Sequence, residues 1–412
     1  MALVFWLSVA VVTYVYIGYP VLLRVWATLR RQPAIGHAQT SLREPLRGVS
    51  IVIAARNEGT RLASRIDNLL GLDYPAAKRQ IIVVSDGSTD NTLEVLTPYR
   101  PIVEAIAVPS GGKALALNAG VALARHEIVV FADARQVFDA NALRELTAPF
   151  RDRAVGAVTG ELLLDAESPC RRTGRDRRAF DRRTSRRASV SDRRSDQRRR
   201  TLQSTIADGV GLYWKYEKQL RRLESQIGST LGATGAIYAI RRKLYRPLPA
   251  DTVLDDVLTP MRVVLAGYRC VFNERARAFD RAAVDADAEA RRKVRTLAGN
   301  YQILALEPRL LLPWTNPVWL QYLSHKVGRL AVPYAVLAAL ASSIVLTGLG
   351  RVSLFSFYGA VLIGQVLFYL LAGVGALLEL QARQRDERTA PSVDDTAVPV
   401  RRPQPQPQRE IA

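Results

Sequence analysis

Cysteine and histidine are scarce in this sequence of 412 residues, which contains two cysteines and three histidines. Cys170 and Cys270 stand far apart, in no pattern typical of a disulfide framework or of a cysteine-based zinc site. The histidines, His37, His126 and His325, are scattered as well, which argues against a histidine-based metal centre. If this protein binds a metal ion, we therefore expect oxygen ligands.

The two standard phosphate-binding loops are also missing from the sequence. In "SGGKALALN", no Ser or Thr follows Lys113 and no glycine lies five residues before Gly112, so the segment is not a P-loop. "AARNEG", which follows the first predicted strand, does not fit the GxGxxG pattern of dinucleotide-binding proteins. A bound nucleotide would have to be held by other groups.

Negative charge is in the minority, because 38 Asp and Glu stand against 58 Lys and Arg, a net charge of +20. Half of this excess lies in one segment, since Arg171 to Arg200 contains 14 arginines and four aspartates. Large apolar residues are almost absent there, so we predict a disordered arginine-rich insert over residues 168–203. It could bind anionic lipid or have no function. Phe180 alone interleaves the charges, which argues against nucleic acid.

Long uncharged runs occur three times, and each is long enough to cross a bilayer as a helix. The first has no basic start, so we interpret it as an anchor and not as a cleaved signal peptide. Arg24, Arg30 and Arg31 follow it, and the positive-inside rule then places the next segment in the cytoplasm. We expect a multi-pass protein of a bacterial-type inner membrane with its catalytic domain in the cytoplasm. The predicted segments are transmembrane helices at 2–23, 330–349 and 354–380, a linker at 24–48, an interfacial amphipathic region at 300–328, and a disordered tail at 383–412.

Between the first and second runs, residues 49–299 alternate between strand and helix patterns. "GVSIVIAAR", "QIIVVSDGS", "PIVEAIAV" and "EIVVFAD" are typical of buried strands, and helical segments separate them, including "TDNTLEVLTPY". This alternation predicts an α/β domain with a mostly parallel, Rossmann-like sheet. Ligands bind such sheets at the carboxyl ends of the strands. Asp86 and Asp133 follow strand ends and are therefore candidate site residues.

Acidic and basic residues recur after strands and at helix starts throughout this region. A nucleoside diphosphate needs carboxylates to hold a divalent cation, Mg²⁺ or Mn²⁺, and positive groups to stabilise the departing charge. Helix capping and solvated loop carboxylates are the alternative explanation for each residue taken singly. The candidates are Glu58, Asp86, Asp133, Asp255 and Asp256 among the acids, and Lys113, Arg135, Lys293 and Arg295 among the bases.

Six motifs in order carry a resemblance to a known family. The sequence resembles the family 2 glycosyltransferases of GT-A fold, in the membrane-bound branch with cellulose, chitin and hyaluronan synthases. The resemblance covers roughly residues 48 to 325 and implies an inverting, metal-dependent hexosyltransferase of the cell envelope. The motifs are "VSIVIAARNE", "IIVVSDGSTDNT", "GGKALALNAG", "VVFADARQVF", "GATGAIYAIRR" and "LDDVLTPMRVVLAGYR".

The resemblance implies roles on the donor side of the site. Asp86 matches the aspartate that contacts the donor base, and Glu58 lies in the nucleotide-binding "NE" of the first loop. Asp133 matches the first aspartate of the DxD motif and would bind the metal. Arg295, the arginine of the family's Q-x-x-R-W motif, would bind the donor diphosphate. The residues themselves offer Lys113, Arg135 and Lys293 as further positive groups for the donor.

On the acceptor side, Asp256 matches the general base that takes the proton of the acceptor hydroxyl. Asp255 beside it, and Gly235 in the "GATGAIYAIRR" turn, would contact the acceptor. We expect a UDP-sugar as donor and a lipid-linked or glycan acceptor, without knowing which sugar or which acceptor.

Two motif positions depart from the family pattern. Arg135 stands where DxD has its second acid, so it either replaces some of the metal's charge or pairs with Asp133. The family's Q-x-x-R-W motif reads Arg292 to Thr296 here; its arginine, Arg295, remains, but its Gln and Trp are lost. The lost Trp favours a non-processive enzyme. The same departures motivate the alternative hypothesis of a catalytically inactive GT-A scaffold or binding protein in the membrane.

Overall fold

The structure is a computed structural model that describes residues 1–30, 46–165, 215–281, 286–348, 353 and 356–389. The predicted arginine-rich insert at 168–203 lies outside the described residues, as do most of the predicted linker and of the predicted tail.

Ten α-helices of six or more residues and eight strands organise the described chain. The helices are α1 (Ala2–Thr13), α2 (Tyr19–Leu29), α3 (Gly59–Leu70), α4 (Lys113–Ala122), α5 (Ala142–Thr147), α6 (215–227), α7 (Asp255–Leu265), α8 (Ala286–Leu306), α9 (Gly328–Gly348) and α10 (Phe357–Thr389). The strands are β1 (Val49–Ala55), β2 (Arg79–Asp86), β3 (Val103–Val108), β4 (Ile128–Ala132), β5 (Val137–Phe138), β6 (Val155–Asp165), β7 (Ile237–Arg241) and β8 (Arg269–Arg281). Short 3₁₀ and π turns connect several of them.

The strands form one sheet in the order β3-β2-β1-β4-β7-β6-β8-β5. The first four strands are parallel, and β6 is parallel to β8, whereas β7 runs antiparallel to both of its neighbours and β5 runs antiparallel to β8. The expected α/β fold with a mostly parallel sheet is confirmed.

Helices cover both faces of the sheet, which explains the nearly continuous apolar sequences of β1, β2 and β4. On one face, Ile51 and Ile53 belong to an apolar core with Leu62 of α3. On the other face, Val52 belongs to a second core with α4 and α7. A Cβ on Gly120 would lie 2.4 Å from Val52 Cγ1. α4 can therefore pack this close to the sheet only because residue 120 is glycine.

One predicted helix differs in type. "TDNTLEVLTPY" forms turns followed by a 3₁₀ helix over Glu94–Tyr99 in place of an α-helix. Pro98 lies inside it, lacks an N–H, and disfavours the α conformation of the preceding residue. The 3₁₀ helix is short and lies before β3.

Three helical stretches are long and apolar enough to cross a membrane, as expected: Ala2–Leu29, Trp319–Gly348 and Phe357–Leu378. The second begins before the predicted residue 330, within the region predicted to be interfacial, and includes a π turn over Tyr322–Val327. α10 continues to Thr389, past the predicted start of the tail at 383. Its last residues, "QARQRDERT", include Gln, Ala, Arg and Glu, which favour the helical state.

The described chain divides into two compact units. The larger, Ala10–Tyr334, contains the whole sheet and every candidate residue. The smaller comprises Met1–Val9 and the described residues from Ala335 onward. Within it, Trp6 stacks on Phe357 at 5.4 Å between ring centroids and donates a hydrogen bond to Tyr358 Oη at 3.0 Å.

Candidate active site

The candidate residues collect at one edge of the sheet because β2, β1 and β4 are parallel neighbours. Their carboxyl ends point to the same side, and each is followed by a candidate segment. β1 leads into residues 56–59, β2 ends at Asp86, and β4 is followed by Asp133. This is the edge at which ligands bind in open parallel sheets.

Polar contacts fix the loop after β1 against the loop after β2. Asn57 adopts a positive φ of 54°, and its Oδ1 accepts the backbone N–H of Thr89 at 2.8 Å. The backbone N–H of Glu58 donates to Thr92 Oγ1 at 3.0 Å. The Glu58 carboxylate itself forms an ion pair with Arg61 at 3.2 Å. Its predicted contact with a nucleotide stays a prediction.

Asp86 organises the turn that precedes α4. The buried Asp86 carboxylate accepts the backbone N–H of Gly111 at 2.7 Å and that of Gly112 at 3.1 Å. Gly112 has a φ of +87°, a conformation that favours glycine. Lys113 follows Gly112 and is the first residue of α4. By holding the Gly111–Gly112 turn, Asp86 therefore helps to fix the position of Lys113. Its predicted role at the donor base stays a prediction.

Lys113 contacts two of the candidate carboxylates. Its Nζ lies 3.1 Å from Asp133 Oδ1 and 3.4 Å from Asp255 Oδ1. Burial by itself would lower the pKa of Lys113, but the carboxylates of Asp255, Asp133 and Asp256 outweigh it and raise that pKa above its ordinary value. Lys113 therefore stays charged at every physiological pH.

Arg135 turns away from the carboxylate with which it shares a motif. Its Nε lies 3.3 Å from Asp280 Oδ2 on β8, and the Asp280 carboxylate also accepts a hydrogen bond from Gln136 at 2.9 Å. Of the two alternatives that the sequence left for Arg135, pairing with Asp133 is not what the structure contains. The Arg135 side chain is half-exposed, so it can still be reached by a ligand. A direct contact between Arg135 and a diphosphate is the hypothesis that remains.

A metal ion would find one candidate protein ligand here. In the described part of the chain, no group of three or more His, Cys, Asp or Glu residues could hold a metal. Mg²⁺ is commonly held by one or two carboxylates together with substrate phosphates and water. The partly exposed Asp133 carboxylate fits that arrangement, with an ion that binds together with the nucleotide.

Asp255 and Asp256 begin α7 beside the "GATGA" turn. The backbone N–H of Ala233 donates to the carbonyl of Asp256 at 2.7 Å. A Cβ on Gly235 would lie 3.0 Å from Asp256 Oδ2, so this glycine leaves room for the carboxylate. The buried Tyr238 hydroxyl donates to Asp255 Oδ2 at 3.4 Å. The structure thus brings Gly235, Asp255 and Asp256 together, and their role toward an acceptor stays a prediction.

The Asp256 carboxyl has a pKa raised to about 6. Burial is the main cause, and the negative charge of neighbouring Asp255 adds to it. The charges of Lys113, Lys326 and Arg221 oppose the rise. A carboxylate whose pKa lies near neutral pH is ionised at pH 7 yet accepts a proton more readily than an ordinary aspartate, which suits a general base.

α8 supports the turn that carries these two aspartates. Gln302 Oε1 accepts the backbone N–H of Val253 at 2.9 Å, and Arg295 Nη2 lies 3.4 Å from the Val253 carbonyl. A Cβ on Gly299 would lie 2.5 Å from Leu254 Cγ. Arg295 is therefore close to the aspartate turn, whereas the exposed Lys293 on the same helix has no hydrogen bond or ion pair among the described residues.

Sequence reasoning missed three residues around Asp255 and Asp256. Tyr238 lies in an apolar strand, Arg221 lies in a helix that carries several other charges, and Lys326 lies in the largely apolar stretch Trp319–Gly348. Arg221 Nη1 donates to Thr234 Oγ1, one residue before Gly235, at 2.6 Å. No local pattern distinguishes these residues, because only the packing of α6 and of the π turn Tyr322–Val327 brings them near α7.

Comparison with known proteins defines the class of this domain. Residues 50–245 match the family model of Glycosyl transferase family 2. This segment, which contains β1 to β7, is therefore similar to family 2 glycosyltransferase domains.

Individual relatives agree with that class. Poly-beta-1,6-N-acetyl-D-glucosamine synthase from Staphylococcus aureus (strain COL) is 34% identical over 121 residues, which are 28% of this chain and 29% of that protein. The protein of the same name from Staphylococcus epidermidis (strain ATCC 35984) is 33% identical over the same shares. The match thus spans less than a third of these curated relatives.

A solved structure confirms the GT-A fold over nearly the whole chain. Mannosyltransferase PcManGT from Pyrobaculum calidifontis, in complex with GDP-Man and Mn²⁺, superposes with a TM-score of 0.62 at 21% identity. The superposition covers 92% of this chain and 96% of that one. At this identity the likeness shows the fold alone.

Proposed function

We propose that this protein is a membrane-anchored, inverting glycosyltransferase that moves one sugar from a nucleotide-sugar donor to a lipid-linked or glycan acceptor at the cytoplasmic face. The observation that carries the proposal is the contact of Lys113 with both Asp133 and Asp255, directly beside Asp256. It joins a carboxylate suited to the donor to a carboxylate pair suited to the acceptor.

Asp256 would act as general base. As the acceptor oxygen bonds to the anomeric carbon, its proton passes to Asp256, and the bond from that carbon to the diphosphate oxygen breaks. The nucleoside diphosphate leaves with the electron pair. A single displacement of this kind inverts the anomeric centre.

Positive groups would stabilise the departing diphosphate. Lys113 is held where its charge can interact with that group, and Arg295 lies near the aspartate turn. Asp133 would hold a divalent cation, Mg²⁺ or Mn²⁺, which neutralises diphosphate charge when bound. The Mn²⁺ and GDP-Man of the mannosyltransferase complex support this assignment by analogy of fold.

The identity of the donor and the number of sugars transferred are further parts of the proposal. A UDP-sugar is the first donor to test, and the name of the staphylococcal relatives makes UDP-N-acetylglucosamine a reasonable member of the panel. We propose transfer of a single sugar, because Thr296 replaces the family's Trp. Product analysis tests this, and long polymer made by the purified chain alone would contradict it.

The decisive experiment is donor turnover by the purified full-length protein. We expect hydrolysis of at least one member of a panel of UDP-, GDP- and dTDP-sugars with Mg²⁺ or Mn²⁺, and loss of that hydrolysis on chelation. Absence of turnover and of nucleotide binding across the panel would favour the inactive scaffold. The observation that supports this alternative is Arg135, which occupies the second acidic position of the DxD motif.

A further inference from the structure

Two cations lie near Asp256 and are not used by the mechanism above. Arg221 belongs to α6, and Lys326 belongs to the π turn Tyr322–Val327 within the apolar stretch Trp319–Gly348. Both charges act on the Asp256 carboxyl, and the two elements contact each other, since His325 Nδ1 in the π turn lies 2.6 Å from Glu224 Oε1 on α6. Neither residue belongs to a motif that the sequence analysis identified.

Arg221 is fixed to the acceptor turn but keeps unused donors. Its Nη1 donates to Thr234 Oγ1 at 2.6 Å, and Thr234 directly precedes Gly235, whose Cα lies against the Asp256 carboxylate. A guanidinium has five N–H donors. Within the described residues, this bond to Thr234 is the one hydrogen bond that Arg221 makes.

Lys326 has no ion pair within 4 Å in the part of the chain that the structure describes, although two glutamates lie nearby. Other groups already bind both acids. Glu224 accepts the Tyr19 hydroxyl at 2.8 Å and contacts His325 Nδ1 at 2.6 Å. Glu217 pairs with Arg329 at 2.5 Å. The Lys326 ammonium is therefore left without a direct counter-ion beside Asp256.

Arginine and lysine with free donors are the side chains that bind phosphate, the first through its fork of N–H groups and the second as a compact charge. A phosphate oxygen needs no general base to become a nucleophile, because it is already an anion. The presence of Asp256 therefore points to a hydroxyl nucleophile, and the two cations point to a separate anionic group on the same acceptor.

We propose that Arg221 and Lys326 form a phosphate-binding subsite for an acceptor whose sugar is joined to a lipid through phosphate or diphosphate. The acceptor's hydroxyl would face Asp256, and its lipid would leave along the apolar stretch that contains Lys326. The acceptor phosphate is not changed in the reaction. This inference rests on the proposed transfer function and names the class of its acceptor.

The test measures lipid phosphate binding without requiring turnover. Full-length protein in detergent is titrated with farnesyl monophosphate, with farnesol as the neutral match and inorganic phosphate as the free anion. We expect farnesyl monophosphate to bind at least about tenfold more tightly than either, the size of one charge-assisted contact. Lys326→Met and Arg221→Met should each weaken it by about tenfold or more, while UDP affinity stays within about twofold.

Arg222→Met is the matched control, because Arg222 follows Arg221 on α6 but pairs with Glu274 at 2.6 Å. It should leave farnesyl monophosphate affinity unchanged. Lys326→Arg keeps the charge and should retain most of the binding, which separates loss of charge from loss of folding. If a Met variant does not fold, the comparison of the phosphate and the alcohol on the unmodified protein still decides.

Several results would overturn the subsite. These are equal affinity for farnesol, equal affinity for inorganic phosphate, unchanged affinity in both Met variants, or equally effective competition by phosphatidylglycerol, which would indicate ordinary bilayer lipid. The experiment distinguishes failure of the phosphate subsite from failure of the proposed transfer function. Donor turnover with no preference for the lipid phosphate rejects the subsite alone, whereas specific lipid phosphate binding without any donor binding rejects the transfer function alone.

Discussion

Nζ of Lys113 lies 3.1 Å from Oδ1 of Asp133, and this ion pair ties the start of α4 to the end of β4. The same ammonium reaches Asp255, so one residue couples the carboxylate proposed for the metal to the pair proposed for the acceptor.

Replacing Lys113 should shift the pH profile of transfer. The Lys113 charge lowers the pKa of Asp256, so its removal in Lys113→Met should move the acidic limb of the rate profile upward by about one pH unit or more. Transfer at pH 7 should fall as well. Lys78→Met is the control, because Lys78 precedes the opposite end of β2 and donates to the Leu46 carbonyl. An unmoved limb with lowered rate would show that Lys113 acts on the donor alone.

In the unmodified protein, transfer should depend on pH around the pKa of Asp256. A general base works only when ionised. The rate should therefore be close to its maximum above pH 7 and should fall as the pH drops through about 6. Initial rates at saturating donor and acceptor, from pH 4.5 to 8.5, measure this limb. A limb near pH 4 would mean that another, ordinary carboxylate is the base.

Asp256→Asn should separate chemistry from binding. The change keeps the shape but removes the proton acceptor, so transfer should fall by roughly 10²–10⁴-fold while nucleotide affinity survives. The melting temperature at pH 7 should be equal or higher, because burial disfavours the charged carboxylate that the variant removes. Transfer near the unmodified rate would refute the assignment, and Asp255 would become the next candidate.

Asp133→Asn should affect binding and chemistry together. The substitution removes an anionic oxygen from the proposed metal site, so the increase in UDP affinity on adding Mn²⁺ should shrink and transfer should fall with it. Calorimetry of UDP with and without Mn²⁺ measures the first effect. Asp73→Asn removes a carboxylate that pairs with Arg144 on the surface, and it should change neither quantity. A full metal effect in Asp133→Asn would place the ion elsewhere.

Gly235→Ala should reduce transfer through Asp256. The added Cβ would lie 3.0 Å from Asp256 Oδ2 and 3.5 Å from its Cγ, so the carboxylate would have to move. Small displacements of a base from its acceptor lower the rate without changing donor affinity. Gly228→Ala is the matched control, since its Cβ would have Val318 Cγ1 at 3.9 Å as its one neighbour within 4 Å. Equal rates in both variants would show that the Asp256 position is not critical.

Much of the site could be anticipated because its residues follow strand ends. The apolar runs of β1, β2 and β4 are local signals, and in a parallel sheet their ends meet at one edge. The sequence therefore predicts that Asp86 and Asp133 lie at the same edge of the sheet, where the structure places them. The antiparallel direction of β7 was not, because side-chain periodicity is the same for strands of either direction.

The partners of individual charges depended on long-range packing. The sequence left Arg135 with two possible roles, and the structure pairs it with Asp280, distant in sequence but adjacent across the sheet edge. Asp86 was expected to face a nucleotide, and its carboxylate accepts the amides of the Gly111–Gly112 turn. The partner of a charged side chain depends on which helices and strands pack together. A local sequence pattern does not contain that information.

The sequence by itself determined the class of fold, the three apolar stretches and the identity of the acidic residues, because hydrophobic periodicity and motif spacing are local properties of the chain. Only the tertiary structure decided what those acids can do. Burial and the charge of Asp255 raise the pKa of Asp256, and the charges of Lys113, Lys326 and Arg221 oppose that rise; four separate segments bring these charges together. Electrostatic energies depend on distance and solvent exposure in three dimensions, and neither is written in the order of the residues.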